Sequence, residues 1–155
     1  MPRRKNARPV VLAVSSGGGH WVQMRRLAPA FFGVELHYAT TDPSAVSQVP
    51  EGRVHVYPDA NKDTPLRLIA CSLRLAWIVF RLRPQVVIST GAAGGFLAIR
   101  LARLTGARTM FIDSIANARE LSISARLSLG VADRVLSQWP RVAEQTGAEY
   151  RGAVI

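Results

Sequence analysis

Residues 10–21 read VVLAVSSGGGHW, an uncharged run rich in β-branched residues that ends in two serines, three glycines and a histidine. Such a run is how a strand buried on both faces of a parallel sheet reads, and it is expected to be the central strand. Gly17, Gly18 and Gly19 remove every Cβ from the turn that follows, so backbone amides can approach an anion and the chain can take positive φ. His20 then opens an amphipathic segment, HWVQMRRLAPAFF, whose first turn presents unpaired N–H groups and the positive end of a helix dipole. Ser16 and the three glycines are therefore candidate phosphate contacts. The loop has neither the GxGxxG spacing of a dinucleotide fold nor the GK[ST] ending of a P-loop, which demotes ordinary Rossmann cofactor binding. At the positive end of the dipole, His20 is favoured as a neutral imidazole able to act as a base. The plainer alternative is a helix-start residue hydrogen-bonded to a nearby carbonyl.

The 155 residues suit one domain, read as a basic tail over 1–9 and a single domain over 10–155. One cysteine, Cys71, excludes an internal disulfide and a thiolate metal cluster, and its apolar surroundings suggest packing. Neither a cofactor nor a metal is expected. The start MPRRKNARP leads into a five-residue strand instead of a signal-peptide core, which points to a cytoplasmic protein. A formal charge of +10 favours phosphate-bearing partners: nucleic acid, anionic lipid or a pyrophosphate substrate. A nucleic-acid-binding domain is the weaker reading, because no basic stripe interleaves with aromatics and no zinc pattern occurs.

Strand-like runs recur at 34–40, 54–57, 86–89, 109–113 and 135–137, separated mostly by helical patterns. That alternation predicts an α/β protein: a Rossmann-like, mainly parallel sheet with helices on both faces. The segment PLRLIACSLRLAWIVFRL has proline at its first position and arginines every seventh residue. Arg67, Arg74 and Arg81 thus form one narrow stripe with Trp77 beside it, on a helix apolar elsewhere. Either one face packs on the sheet while the other meets a second apolar surface, such as a membrane interface, or the helix is core with a solvated arginine edge.

A second glycine turn, STGAAGG, follows the fourth run and brings Ser89, Thr90, Gly91, Gly94 and Gly95 before another helix. If the strands preceding the two turns are neighbours, both turns line one crevice at the carboxyl edge of the sheet. Alternatively, Gly94 and Gly95 only let the helix approach the sheet. The same rule places Asp113, Ser114, Gln138 and Trp139 at this edge. Asp113 could orient His20, bind a sugar hydroxyl or cap a turn. Trp139 beside the Gln138 amide could stack on a sugar or be partly buried core.

SSGGGH, STGAAGG and the run FIDSIANARELSISARLSLGVADRVLSQWP together resemble the membrane-associated subunit of two-subunit UDP-sugar glycosyltransferases. That family includes the eukaryotic dolichol-pathway GlcNAc transferase subunit and bacterial relatives that build capsule and exopolysaccharide repeats. It is similar to the N-terminal half of MurG, a GT-B enzyme. The resemblance implies the acceptor-binding half of an inverting transferase that is active only with a partner, a separate small α/β subunit carrying the UDP-sugar site. The implied reaction moves a hexose (GlcNAc, glucose or glucuronate) to a polyprenyl-pyrophosphate-linked saccharide. His20 inherits the role of base or acceptor-pyrophosphate contact, with Asp113 as the second candidate catalytic residue, and the glycine turns face the acceptor. The eukaryotic subunit has an N-terminal anchor where this chain has MPRRKNARP. Contact with an anionic membrane, on the inner face of the cell membrane, is therefore expected from the basic terminus and the arginine-striped helix. The rival within this reading is a non-catalytic recruiter of a separate transferase.

Overall fold

A computed structural model of the chain describes residues 8–49 and 53–154; residues 1–7 of the basic tail, residues 50–52 and residue 155 lie outside the described residues. In chain order the elements are β1 (Val10–Ser15), α1 (Gly19–Arg26), a 3-10 turn (Ala28–Phe31), β2 (Glu35–Thr40), α2 (Ala45–Gln48) and β3 (Val54–Val56). They continue with α3 (Pro65–Leu82), β4 (Val86–Ser89), α4 (Ala92–Leu104), β5 (Arg108–Ile112), α5 (Ile123–Ser128), β6 (Arg134–Ser137), α6 (Pro140–Thr146) and β7 (Glu149–Tyr150).

The strands form one sheet in the order β3-β2-β1-β4-β5-β6-β7, with every pair parallel. β1 is therefore interior but not central: β4 occupies the middle of the seven strands, because the short β7 extends the far side. β1 and β4 are neighbours, with Val11 opposite Val86 and Val14 opposite Ser89. Strand order reverses between them, since β2 and β3 build outward on one side and β5 to β7 on the other. That reversal opens a crevice at the carboxyl ends of the two strands.

Side-chain alternation along β1 divides the core. Leu12 and Val14 join Leu75, Ile78, Val79, Ile99 and Phe111 under α3 and α4, whereas Ala13 meets Trp21, Met24 and Tyr38 under α1. Burying each of the larger aliphatic side chains contributes roughly 1.5–3 kcal/mol. The first helix is shorter than the amphipathic segment. It stops at Arg26, and Pro29 shapes the following 3-10 turn, because proline lacks the amide that would continue the α pattern.

α3 is apolar on two sides. Cys71, Leu75, Ile78 and Val79 are buried against the sheet, while Leu66, Ile69, Leu73, Trp77 and Phe80 are between 47 and 81% exposed. The 3- and 4-residue spacing of the second set places it on one outward face. Among the described residues, no helix is long and apolar enough to cross a membrane. Cys71 is core, and burial pushes its thiol up to about 11, so it remains protonated and inert near neutral pH.

Candidate functional site

The two glycine turns meet across the crevice through His20. Its Nδ1 lies 2.9 Å from the Thr90 carbonyl, and the Thr90 hydroxyl donates to the His20 carbonyl at 2.8 Å. These reciprocal bonds join residues 70 positions apart. A carbonyl oxygen can only accept, so Nδ1 carries the proton and the lone pair of the neutral ring sits on Nε2. Among the described residues Nε2 has no hydrogen-bond partner, and the side chain is only partly covered. The carbonyl contact named as the plain alternative is thus present, and it fixes the tautomer a base requires.

Gly91 makes this approach possible. A Cβ at that position would stand 2.4 Å from the imidazole, and its φ of 145° is one that side-chain-bearing residues rarely adopt. Ala92, which follows, also has positive φ, at 65°, so the turn holds strain at the point where it faces His20. In the first turn, Gly18 takes φ 65° and serves as N-cap of α1, and open space surrounds both Gly18 and Gly19. Gly17 is different: its amide donates to the Thr41 hydroxyl at 2.9 Å, so that donor is already used. Ser16 bridges β1 and the turn, half-buried. The donors available to an anion are those of the first turn of α1, where no intrahelical acceptor exists.

Gly94 and Gly95 do not line the crevice as acceptor contacts. The Cβ position of Gly94 is filled by the Tyr57 ring, 2.5 Å away, and that of Gly95 by the Ser89 hydroxyl, 1.9 Å away. They let α4 settle on the sheet, which is the second of the two roles open to them. Tyr57 was not legible as part of the site. Its buried hydroxyl donates to the Ser15 carbonyl at 3.0 Å, and burial pushes its pKa far above the usual tyrosine range, so the phenol stays a neutral donor. Thr41 was equally silent, because its role depends on β2 lying beside β1.

The remaining edge residues brace one another. Asp113 is buried and does not reach His20; its carboxylate accepts from the Asn117 side-chain amide and the Ser122 backbone amide, both at 2.9 Å. The structure therefore selects the turn-closing role over orientation of the histidine, whose Nδ1 partner is Thr90. Gln138 is buried, donates to the Asp113 carbonyl at 2.9 Å and accepts from the Val154 amide at 2.7 Å. Trp139 is partly exposed and donates to the Ile115 carbonyl at 2.7 Å. The Ser114 hydroxyl accepts from the Ala116 amide. On α3, Arg74 donates to the Val56 carbonyl and lies over the Trp77 ring at 4.7 Å, while Arg67 and Arg81 are exposed along the same stripe. Among the described residues, no three His, Cys, Asp or Glu side chains are grouped to hold a metal ion.

Comparison with known proteins agrees with this architecture. The family model described as oligosaccharide biosynthesis protein Alg14 like matches residues 59–154. A relative, the UDP-N-acetylglucosamine transferase subunit ALG14 of Yarrowia lipolytica, is 33% identical over 86 residues, covering 50% of this chain and 39% of that protein. Among solved structures, Acinetobacter baumannii MurG superposes over 94% of this chain and 45% of its own, with a TM-score of 0.73 at 16% identity. A UDP-N-acetylglucosamine 2-epimerase described as putative, from Listeria monocytogenes, superposes with a TM-score of 0.68 at 13% identity, over 90% of this chain and 42% of its own. The chain thus spans less than half the length of each of these proteins, and the two structures share its Rossmann-like fold.

Proposed function

The chain belongs to the Alg14-like family of oligosaccharide biosynthesis proteins, and from that premise we propose that it is the acceptor-binding, membrane-associating subunit of a split, inverting hexosyltransferase. The acceptor is a polyprenyl-pyrophosphate-linked saccharide destined for surface polysaccharide such as capsule or exopolysaccharide. The UDP-sugar sits on a separate small α/β subunit that forms the facing wall of the crevice. One observation carries the reading: an imidazole locked in a single tautomer by the Thr90 carbonyl, its Nε2 unpartnered among the described residues, at the point where strand order reverses.

In the reaction, Nε2 takes the proton of the acceptor hydroxyl as that oxygen attacks the anomeric carbon. The bond from that carbon to UDP breaks as the new one forms, which inverts its configuration. The Thr90 carbonyl, already accepting from Nδ1–H, stabilises the imidazolium that results. General-base help of this kind is worth typically ~10²–10⁴-fold. The open amides of the first turn of α1 face the acceptor pyrophosphate, where fixed dipoles act without reorganisation. Direct hydrogen bonding of His20 to that pyrophosphate is the other role the position supports.

The outward face of α3, with Leu66, Leu73 and Trp77 beside Arg67, Arg74 and Arg81, suits peripheral contact with an anionic bilayer at the inner face of the cell membrane. Each basic residue near such a surface contributes about 1 kcal/mol, reduced by salt. Reconstitution on anionic vesicles tests the reading. Transfer is expected only when the separate UDP-sugar-binding subunit is added, and the chain is expected to leave the vesicles as salt rises. Robust transfer by the isolated chain would contradict the split enzyme, and full transfer by a His20→Ala pair would reduce the chain to a recruiter.

A further inference from the structure

A second concavity, with a volume of about 420 Å³, lies outside the crevice between α4, α5, the start of α3 and the 61–63 turn. Its walls are the apolar Leu68, Ala93, Phe96, Leu97, Ile123 and Leu127 together with the polar Asn61, Lys62, Asp63 and Ser124. The volume falls in the ~300–1,000 Å³ range of small-molecule sites. Ile123 and Leu127 stand one turn apart on the same side of α5, and both are more than half exposed, at 61% and 52%. Side chains of that kind in a concave wall mark a surface made to be covered.

The position of this groove says what covers it. Ala93 is part of its lining and stands two residues past Gly91, which packs against His20. Leu68, in the first turn of α3, is also part of the lining, and its sequence neighbours Leu66 and Ile69 begin the outward apolar face. The groove therefore connects a polar turn to an apolar surface, as a molecule with an anionic head and an apolar tail requires.

Building on the acceptor reading above, we propose that this groove holds the first isoprene units of the acceptor's polyprenyl chain, leading from the pyrophosphate at the glycine turns toward the face of α3. The bound segment is then positioned by the protein, and the bilayer receives only the remainder.

The test compares tailed and tailless anions by calorimetric titration of the full chain: farnesyl pyrophosphate against inorganic pyrophosphate. Farnesyl pyrophosphate is expected to bind roughly tenfold or more tightly, since each buried methylene adds to binding. Because Ile123 and Leu127 are exposed, I123S/L127S is expected to fold with an unchanged Tm, to keep pyrophosphate affinity and to lose the preference for the tail. Leu73→Ser, on the outward face of α3, is expected to retain it. Equal affinity for both probes in the wild type would overturn the proposal, as would a preference that survives I123S/L127S or disappears with Leu73→Ser. So would loss of partner-subunit capture by I123S/L127S with the tail preference intact, which would make the groove a protein contact. The titration needs no transfer, so its failure is distinguishable from failure of the acceptor reading, which is judged by turnover in the reconstituted pair.

Discussion

The turns after β1 and β4 and those after β5 and β6 stand on one edge of the same sheet, yet their polar groups are finished differently. Around β5 and β6, Asp113, Gln138 and Trp139 spend their hydrogen bonds on Asn117, Ser122, Val154, Ile115 and one another's backbone. Around β1 and β4, the one reciprocal clamp between His20 and Thr90 leaves Nε2 without a partner among the described residues and the first-turn amides of α1 facing the crevice. A buried polar group satisfied by its own fold stabilises that fold, whereas one held in place with a free valence is set up for a ligand. Residue type alone does not separate the two halves, since the aspartate belongs to the brace and the histidine to the opening.

The sharpest way to break this contrast is Gly91→Ala. The added Cβ would occupy the space of the imidazole and force an unfavourable φ, so transfer in the reconstituted pair should fall as far as loss of a base, about 10²–10⁴-fold. Turnover and Tm measured together check this; activity close to wild type would mean that the clamp is not needed. Asp113→Asn should act in the opposite register. The substitution turns an amide donor toward a donor that the carboxylate satisfied, at a cost of about 1–3 kcal/mol of stability. Denaturant unfolding should show that loss while turnover per folded molecule stays near wild type, and a large fall in turnover with stability intact would move Asp113 into the site. The smallest effect is expected of Trp139→Phe, which keeps an aromatic ring but deletes the bond to Ile115, for about 0.5–1.5 kcal/mol. Acceptor KM should be unchanged, and a raised value would show that the indole itself touches the acceptor.

How much of this was readable in sequence follows the range of the contacts involved. The buried run of β1, the glycine turn, the second such turn and the two-sided character of α3 are local patterns, and each stands where periodicity put it. The pairing of β1 with β4 was a condition in the sequence reading and is met. By contrast, the Thr90 clamp, the Tyr57 ring under Gly94 and the Thr41 hydroxyl on Gly17 join residues between 24 and 70 positions apart or through packing alone. No local period encodes them. The two-residue strand β7 escaped notice because it is too short to show alternation. Asp113 looked catalytic because an acid at a strand end has the right address, and only the positions of Asn117 and Ser122 reveal that it is already occupied.

The central claim is that His20 is a base positioned by the Thr90 carbonyl at the open half of the edge. Its most direct test is the pH dependence of turnover in the reconstituted pair for wild type and His20→Ala, at saturating acceptor and with Tm and subunit assembly measured alongside. The account predicts unchanged assembly and Tm, a fall in kcat of about 10²–10⁴-fold and loss of the acidic limb of the profile. Turnover that stays near wild type across that pH range would contradict it.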